Sequence, residues 1–403
     1  MNPIIINILI SLVMILFSSR MLEDRLDYRS LSPEGKSGRI RLFLCGDVMT
    51  GRGIDQILPS PGDPVLHESY MKSANGYVKL AEKVNGNIPY PVDFFYIWGD
   101  ALGYWEKMAP DLKIINLETA VTRSNRFWEN KAVNYRMSPE NISVLKKADI
   151  DFCSMANNHV LDFHGEGLKE TMKSLRDTGI SFSGCGGDLR SARKPAVLEI
   201  QENKRVIILS IGMKDSGIPE SWEAGDQDPG VFLVSPRREN AYLIQKVLDE
   251  TEQPGDIIII SIHWGSNWGY QVPAEHIRFA HDLIDIAGAD LIHGHSSHHI
   301  LGIEVYRNRL ILYGCGDFIN DYEGISGYES FRDDLTLMYF ADIDAETGKL
   351  VKLQMIPLQI KKFRLNETSE KDTKWLSVIL NREGRKYGTS VEVSEYGVLN
   401  LNW

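Results

Sequence analysis

Five short apolar runs in this chain each stop at a side chain that can hold a metal, and this pattern limits the fold more than any other feature. Arg41-Leu-Phe-Leu-Cys-Gly46 stops at Asp47, and Lys113-Ile-Ile-Asn116 runs on to Glu118. Phe152-Cys-Ser-Met-Ala156 stops at Asn157, Asn158 and His159, with Asp162 close behind. Residues 257–262 stop at His263, and Leu291-Ile-His293 opens into Gly294-His295-Ser-Ser-His298-His299. Apolar runs this short are single buried strands. In open α/β sheets ligands gather beyond the carboxyl ends of strands, so the five ends are expected to meet in space. Seven of the ten histidines lie in or beside these ends, all but His67, His276 and His281, which takes the pattern beyond coincidence.

Between the runs lie segments with helical spacing. Strands are expected over 39–45, 113–116, 151–155, 205–211, 256–262 and 290–293, and helices over 97–108, 139–148, 166–178, 239–251 and 274–287. In the 166–178 segment Leu168, Met172 and Leu175 share a face, and Gly179 suits the C-terminal cap. Strand–helix alternation argues for an α/β fold with a largely parallel sheet. The last third differs: 302–306 and 309–313 read as a hairpin across Asn308, followed by strands over 336–343 and 350–356. A four-layer α/β/β/α sandwich, two sheets packed together with helices outside, accommodates both halves. The division read from the sequence is 1–20 as a signal or membrane-anchor segment, 21–38 as a connector, 39–360 as the main domain and 361–403 as a C-terminal helix and polar tail. Residues 59–91 and 216–236 look like inserted loops.

Composition restricts the partners. The net charge of -11, with no Lys/Arg run, argues against a surface made for nucleic acid, although a metal centre would still supply local positive charge for a small anionic substrate. Cys45, Cys153, Cys185 and Cys315 form no C-x-x-C pair and read as reduced packing residues. Residues 4–17 are apolar except for Asn7 and Ser11, shorter than the roughly 18–20 residues of a spanning helix. They read as a signal segment or a membrane attachment, giving an anchored or exported protein; a natural start at Met21 would instead leave it cytoplasmic.

Singly, each strand end has a plainer reading: Asp47 as a turn residue, Asn157-Asn158 as a turn, His263 as a hydrogen-bonded core histidine. Together they describe a metal site of carboxylate, imidazole and amide ligands. With no cysteine among them, that set suits one or two divalent transition metal ions, Mn²⁺, Fe²⁺ or Zn²⁺. Two ions roughly 3.5–4 Å apart need a bridging carboxylate, either Asp47 or Glu118. His159, oriented by Asp162, has the chemistry of an acid that protonates a leaving group. The run His263-Trp264-Gly-Ser-Asn-Trp268-Gly-Tyr270 is either a substrate rim or a packed loop.

Gly46-Asp47-Val-Met-Thr-Gly-Arg52, Asn116-Leu-Glu118-Thr, Ala156-Asn-Asn-His159-Val-Leu-Asp162, His263-Trp-Gly265 and Gly294-His295-Ser-Ser-His298 resemble the CapA-type poly-γ-glutamate capsule-biosynthesis family, a branch of the calcineurin-like metallophosphoesterases. The resemblance runs from about Arg39 to Leu358. It implies the calcineurin-like α/β/β/α sandwich, a metal centre and a link to capsule or poly-γ-glutamate metabolism. By position it makes Asp47, Glu118, Asn158, His263, His295 and His298 metal ligands and His159 the histidine that acts on substrate. It also makes Arg52 a bidentate anion-binding residue and Glu304 the acidic residue that follows the histidine loop. The pattern departs from the superfamily at Cys45-Gly46-Asp47, where Asp-x-His is usual, and at His295-x-x-His298. In Tyr313-Gly-Cys-Gly-Asp317-Phe an aspartate replaces asparagine, adding either a ligand or a turn. Two functions follow: a metal-dependent hydrolase acting on a phosphoester or γ-glutamyl amide, or a non-catalytic component of capsule assembly or export that binds poly-γ-glutamate.

Overall fold

The structure is a computed structural model that describes residues 38–200 and 204–403. The expected signal or anchor segment and most of the connector lie outside the described residues. Among the described residues no helix is long and apolar enough to cross a membrane.

The strand Arg39–Val48 shows how the sequence organises the molecule. Side chains alternate across a strand, so its even and odd residues enter different surroundings. Ile40, Leu42 and Leu44 join one hydrophobic core, whereas Phe43, Cys45 and Val48 join another. A strand buried on both faces must read as a continuous apolar run, as this one does. Its parallel neighbour Leu112–Leu117 divides likewise, with Leu112 and Ile114 on the first side and Ile115 and Leu117 on the second.

These strands belong to a ten-stranded mixed sheet. Its order is Ser390–Val393, Leu399–Asn402, Leu350–Ile360, Leu335–Asp344, Arg39–Val48, Leu112–Leu117, Phe152–Ser154, Ser181–Ser183. Leu365–Glu367 is added at Leu350–Ile360, and Asp317–Ile319 lies parallel to the carboxyl end of Arg39–Val48. The half containing Leu112–Leu117 is parallel and the half containing Leu335–Asp344 antiparallel. A second sheet of six strands runs Ile303–Tyr306, Arg309–Leu312, Leu291–His295, Ile257–His263, Lys204–Gly212, Ala196–Ile200, parallel except at its two edges.

Three cores separate and cover the sheets. The middle one joins Leu42, Leu44 and Ile114 of the large sheet to Val206, Ile208, Ile257, Ile259 and Leu291 of the smaller one. Outside the large sheet, Tyr77 of helix Asn75–Asn85, Trp105 of Ala101–Met108 and Leu168, Met172 and Leu175 of His164–Thr178 close the second core. Outside the smaller sheet, Ile207, Ile258 and Ile260 pack on Ile244 and Leu248 of Arg238–Asp249 and on Phe279 and Leu283 of Ala274–Asp285.

Two expectations change. Residues 59–91 contain the helix Asn75–Asn85, whose buried Tyr77, Val78 and Ala81 are at helical spacing within a stretch rich in turn residues. The tail is not a free polar end. Val391, Leu399 and Leu401 alternate with polar residues, and these strands pair into the large sheet with their apolar side chains in the middle core. The 309 hairpin forms as read, with Arg307 and Asn308 both at positive φ, the backbone that a two-residue hairpin turn requires.

Candidate metal centre

The site lies where the middle core stops being apolar. In Ile257–His263 the odd residues face that core, and after Ile257 and Ile259 come Ser261 and His263. In the paired strand, Leu291 is followed on the same face by His293 and His295, with Ser261 opposite His293 and His263 opposite His295. Alternation thus carries four polar side chains to one end of the inter-sheet space.

Asp47 reaches the same place through an irregularity. Leu44 pairs with Ile114 and Asp47 with Asn116, so three steps along one strand match two along the other. Such a bulge reverses the alternation. Without it Asp47 would follow Phe43 and Cys45 toward the helices; with it Asp47 turns to the face of Leu42 and Leu44. Gly46 permits the bulge, because a Cβ there would overlap the Gly316 carbonyl oxygen, which accepts the Asp47 N–H at 3.0 Å.

Two groups of side chains bring ligand atoms within 4.8 Å of one another: Asp47, His263 and His295, and Asp47, His298 and Asp317. Asp47 belongs to both. Its Oδ1 accepts from Asn116 Nδ2 at 2.7 Å and lies 3.9 Å from His295 Nδ1. His298 Nδ1 lies 2.9 Å from Asp317 Oδ1, and Asn320 Nδ2 donates to Asp317 Oδ2 at 2.7 Å. On the other side His263 Nε2 is 3.2 Å from Asn158 Oδ1 and 4.0 Å from Glu118 Oε1. The six ligands expected from the sequence therefore converge, joined by Asp317.

The positions of the protons leave ligand nitrogens free for a cation. His293 Nε2 is 2.7 Å from the Cys45 carbonyl, which can only accept, so this nitrogen carries the hydrogen. Burial holds the His293 imidazole down at about 4, so the ring is neutral and its Nδ1 accepts from Ser261 Oγ at 3.1 Å. Ser261 Oγ must then accept from His295 Nε2 at 3.0 Å. His295 Nδ1 is left with a lone pair, aimed at His263 Nδ1 2.8 Å away and at Asp47. An unprotonated nitrogen held in place by its opposite ring N–H is the form in which histidine binds a metal. Burial, then the neighbouring histidines, keeps both His263 and His295 well below the usual range, again in the ligand form.

Charge points the same way. Asp47, Glu118 and Asp317 are buried together. Burial and then Asp317 push the Asp47 carboxyl up to about 7, and burial and then Asp47 push Glu118 well above the carboxylate range. Either protons or cations must offset this negative charge. Burial lowers His298, but the bonded Asp317 carboxylate outweighs it and the net shift is upward. The residues fit a divalent cation.

His159 stands beside this cluster. Its Nδ1 is 2.6 Å from Asp162 Oδ2, its Nε2 is 3.8 Å from Glu118 Oε1, and Tyr135 stacks on its ring at 3.7 Å. Asp162 Oδ2 also accepts from the Tyr135 N–H at 2.6 Å. Lys131 Nζ bonds Asp162 Oδ1 and the Asn158 carbonyl and lies 3.0 Å from His159 Nδ1. Burial lowers the His159 imidazole to about 4, with Lys131 assisting and Asp162 opposing.

The anion-binding role expected of Arg52 finds no support in this geometry, and Glu304 stands apart from the ligands. Arg52 is buried against internal carboxylates: it forms a bidentate pair with Asp321 and donates to Glu68 Oε1 at 3.1 Å and Tyr77 Oη at 2.9 Å. With its donors committed in this way, it has no free fork for a substrate anion. Glu304 bonds His281 at 3.0 Å and Tyr313 at 2.5 Å, and neither ligand group includes it. Of the histidine cluster, His295 and His298 belong to the ligand groups, His293 is in the proton relay, and His299 accepts from the Gly269 N–H in the aromatic loop. In that loop Trp264 is packed on His276, and Trp268 stacks at 4.0 Å on the exposed Tyr328.

The comparisons with known proteins give the family. The family described as "Bacterial capsule synthesis protein PGA_cap" matches residues 41–322, which contain every residue of the two ligand groups. A probable polyglutamine synthesis accessory protein, found in two strains of Mycobacterium tuberculosis, is 47% identical over 359 residues, 89% of this chain and 94% of that protein. The capsule biosynthesis protein CapA of Bacillus anthracis is 22% identical over 362 residues, 89% of this chain and 77% of its own. The PGA biosynthesis protein CapA of Bacillus subtilis is 28% identical over 233 residues, covering 57% and 58%. By motifs, site and matched length, the chain belongs to the CapA-type PGA_cap family of bacterial capsule synthesis proteins.

Proposed function

We propose that this protein is a metal-dependent hydrolase of the capsule or poly-γ-glutamate system, acting on a phosphoester or a γ-glutamyl amide. The observation that carries the reading is the proton relay from Cys45 to His295, which leaves an unprotonated nitrogen aimed at two further ligands. The two sheets and three cores support the four-layer α/β/β/α arrangement of calcineurin-like phosphoesterases. In this reading Asp47 bridges two sites. His263, His295, Asn158 and Glu118 serve one, and His298 and Asp317 the other, for Mn²⁺, Fe²⁺ or Zn²⁺. Bound there, such ions supply Lewis acidity and lower the pKa of a coordinated water.

The remaining chemistry belongs to the chain. Asp162 holds His159 through Nδ1 and the stacked Tyr135 fixes the plane of the ring, so that Nε2 is the atom facing the cluster. In the neutral ring Nδ1 carries the hydrogen given to Asp162 and Nε2 the lone pair, so Nε2 takes up the proton released by the attacking water and passes it to the leaving group. The buried setting excludes water from the opposite side of the ring. Lys131 ties Asp162 and the Asn158 backbone together, fixing the acid relative to a ligand.

The accessory role in the name of the Mycobacterium tuberculosis relatives favours a second reading, non-catalytic binding of anionic polymer. Against it, Arg52 and Lys131 are both committed to internal carboxylates, and the net charge of -11 repels a polyanion. A small substrate escapes both objections. Purified metal-loaded protein screened against phosphoesters and γ-glutamyl peptides decides between them: metal-dependent turnover is expected, and polymer binding without turnover of either class would overturn the hydrolase reading.

A further inference from the structure

The Tyr135 and Tyr322 hydroxyls are 2.7 Å apart, and this pair spans the two halves of the site. Tyr135 lies flat on His159, and Tyr322 turns its edge to His298 with centroids 5.4 Å apart at 89°. Both phenols lie close enough to Glu118 to feel its charge. Tyr322 is half-buried and, with Asn320 and Asp333, lines a cavity of about 320 Å³; Asn320 in turn bonds Asp317. The two hydroxyls thus lie between His159 on one side and His298 with its partner Asp317 on the other.

Counting hydrogens gives the pair a function. Two phenols carry two O–H hydrogens, and the bond between them uses one. Among the described residues no acceptor takes the other. Tyr322 is the more open of the two, so the spare hydrogen is free to turn toward a ligand. Arg52 lies 4.7 Å from the Tyr135 centroid and 5.7 Å from that of Tyr322, where its charge opposes the burial that raises both phenols. This also gives the buried arginine a role, since it acts on the substrate space through the tyrosines.

We propose that Tyr135 and Tyr322 are catalytic residues whose spare O–H donates to the substrate oxygen on which negative charge builds during hydrolysis. This rests on the hydrolase reading above. A neutral donor preorganised at that oxygen stabilises the charged stage with no reorganisation. The substrate class it implies presents a tetrahedral oxyanion, a phosphoryl group or the tetrahedral stage of an amide.

Inorganic phosphate is the probe, titrated calorimetrically into the full chain reconstituted with Mn²⁺, with metal content and melting measured on the same samples. Tyr322→Phe and Tyr135→Phe are each expected to weaken phosphate binding about tenfold at unchanged metal content. The double variant should bind more weakly than either single, because each single keeps one O–H that has lost its positioning partner and only the double loses both. Should Tyr135→Phe fail to fold, the half-buried Tyr322 carries the test alone. Single variants within twofold of wild type, or a metal-loaded wild type that binds no phosphate, would overturn the tyrosine donor and leave the metal centre standing. A chain that takes up no metal would overturn the hydrolase reading and the tyrosine role with it.

Discussion

His159 is held by three independent contacts: the Asp162 carboxylate, the flat face of Tyr135 and the Lys131 ammonium. None of these is a metal ligand, so removing the imidazole should separate chemistry from binding. His159→Ala is expected to lower turnover by roughly 10²–10⁴ while retaining bound metal, checked by steady-state kinetics beside elemental analysis. Unchanged turnover would remove His159 from the mechanism. Asp47 makes a pH prediction. In the metal-free protein its carboxyl is pushed up to about 7 by burial and Asp317, so below that pH a cation must displace a proton. Metal affinity should therefore fall about tenfold per pH unit below 7 for each proton displaced, and level off above it, in titrations between about pH 5.5 and 8. The sign for stability is opposite. A raised carboxyl favours the fold below its ordinary value, and that contribution is lost as pH rises through about 7. The lowered imidazoles of His159, His263, His293 and His295 act in the opposite direction, so the Asp47 contribution is read by difference: metal-free Asp47→Asn should gain stability relative to wild type as pH rises from 5.5 to 8. Asp47, Glu118, Asn158, His263, His295 and His298 were legible in the sequence because each stands at or just beyond a strand end. Asp317 was visible only as an aspartate in place of an asparagine, which left it either a ligand or a turn. Lys131 and Tyr135 lie in an irregular stretch with no period, and only the fold brings them to His159. Arg52 misled because sequence shows its charge but not Asp321 and Glu68, which reach it from distant segments.

The bulge between Leu44 and Asp47 is the element-scale device on which the centre depends. The continuous apolar run of residues 42–45 predicts a strand, yet an uninterrupted strand would turn Asp47 away from His263 and His298. Gly46 allows the close approach of the Gly316 backbone that holds the bulge. Gly46→Ala should therefore destabilise the fold by about 3 kcal/mol or more, because the obstacle is backbone and cannot rotate away. A melt within about two degrees of wild type would show that the strand can shift without cost. Short apolar runs identified the central strands, since burial on both faces leaves little choice of residue. The helix Asn75–Asn85 was hidden because glycine and asparagine at its ends and proline nearby read as loop. The terminal strands were hidden because each offers only one or two buried side chains, Val391 in one and Leu399 and Leu401 in the other.

At the scale of the whole molecule the site is the place where two sheets stop sharing a hydrophobic core. Anything that loosens the middle core should disturb the metal centre at its end. The C-terminal strands contribute Val391, Leu399 and Leu401 to that core, each stabilising by about 1.5–3 kcal/mol when fully buried. Native domains hold only about 5–15 kcal/mol in total. A chain ending at Thr389 is therefore expected to be largely unfolded or to melt well below the full chain, as read by circular dichroism; an unchanged melt would mean the terminal strands are accessory. The central claim is a two-cation centre built around one shared aspartate, and counting metal in ligand variants tests it most directly. Wild-type protein should carry about two divalent ions per chain, His298→Ala about one, and Asp47→Ala almost none, because both groups lose their common ligand. An Asp47→Ala protein that is folded and holds as much metal as wild type would contradict the account.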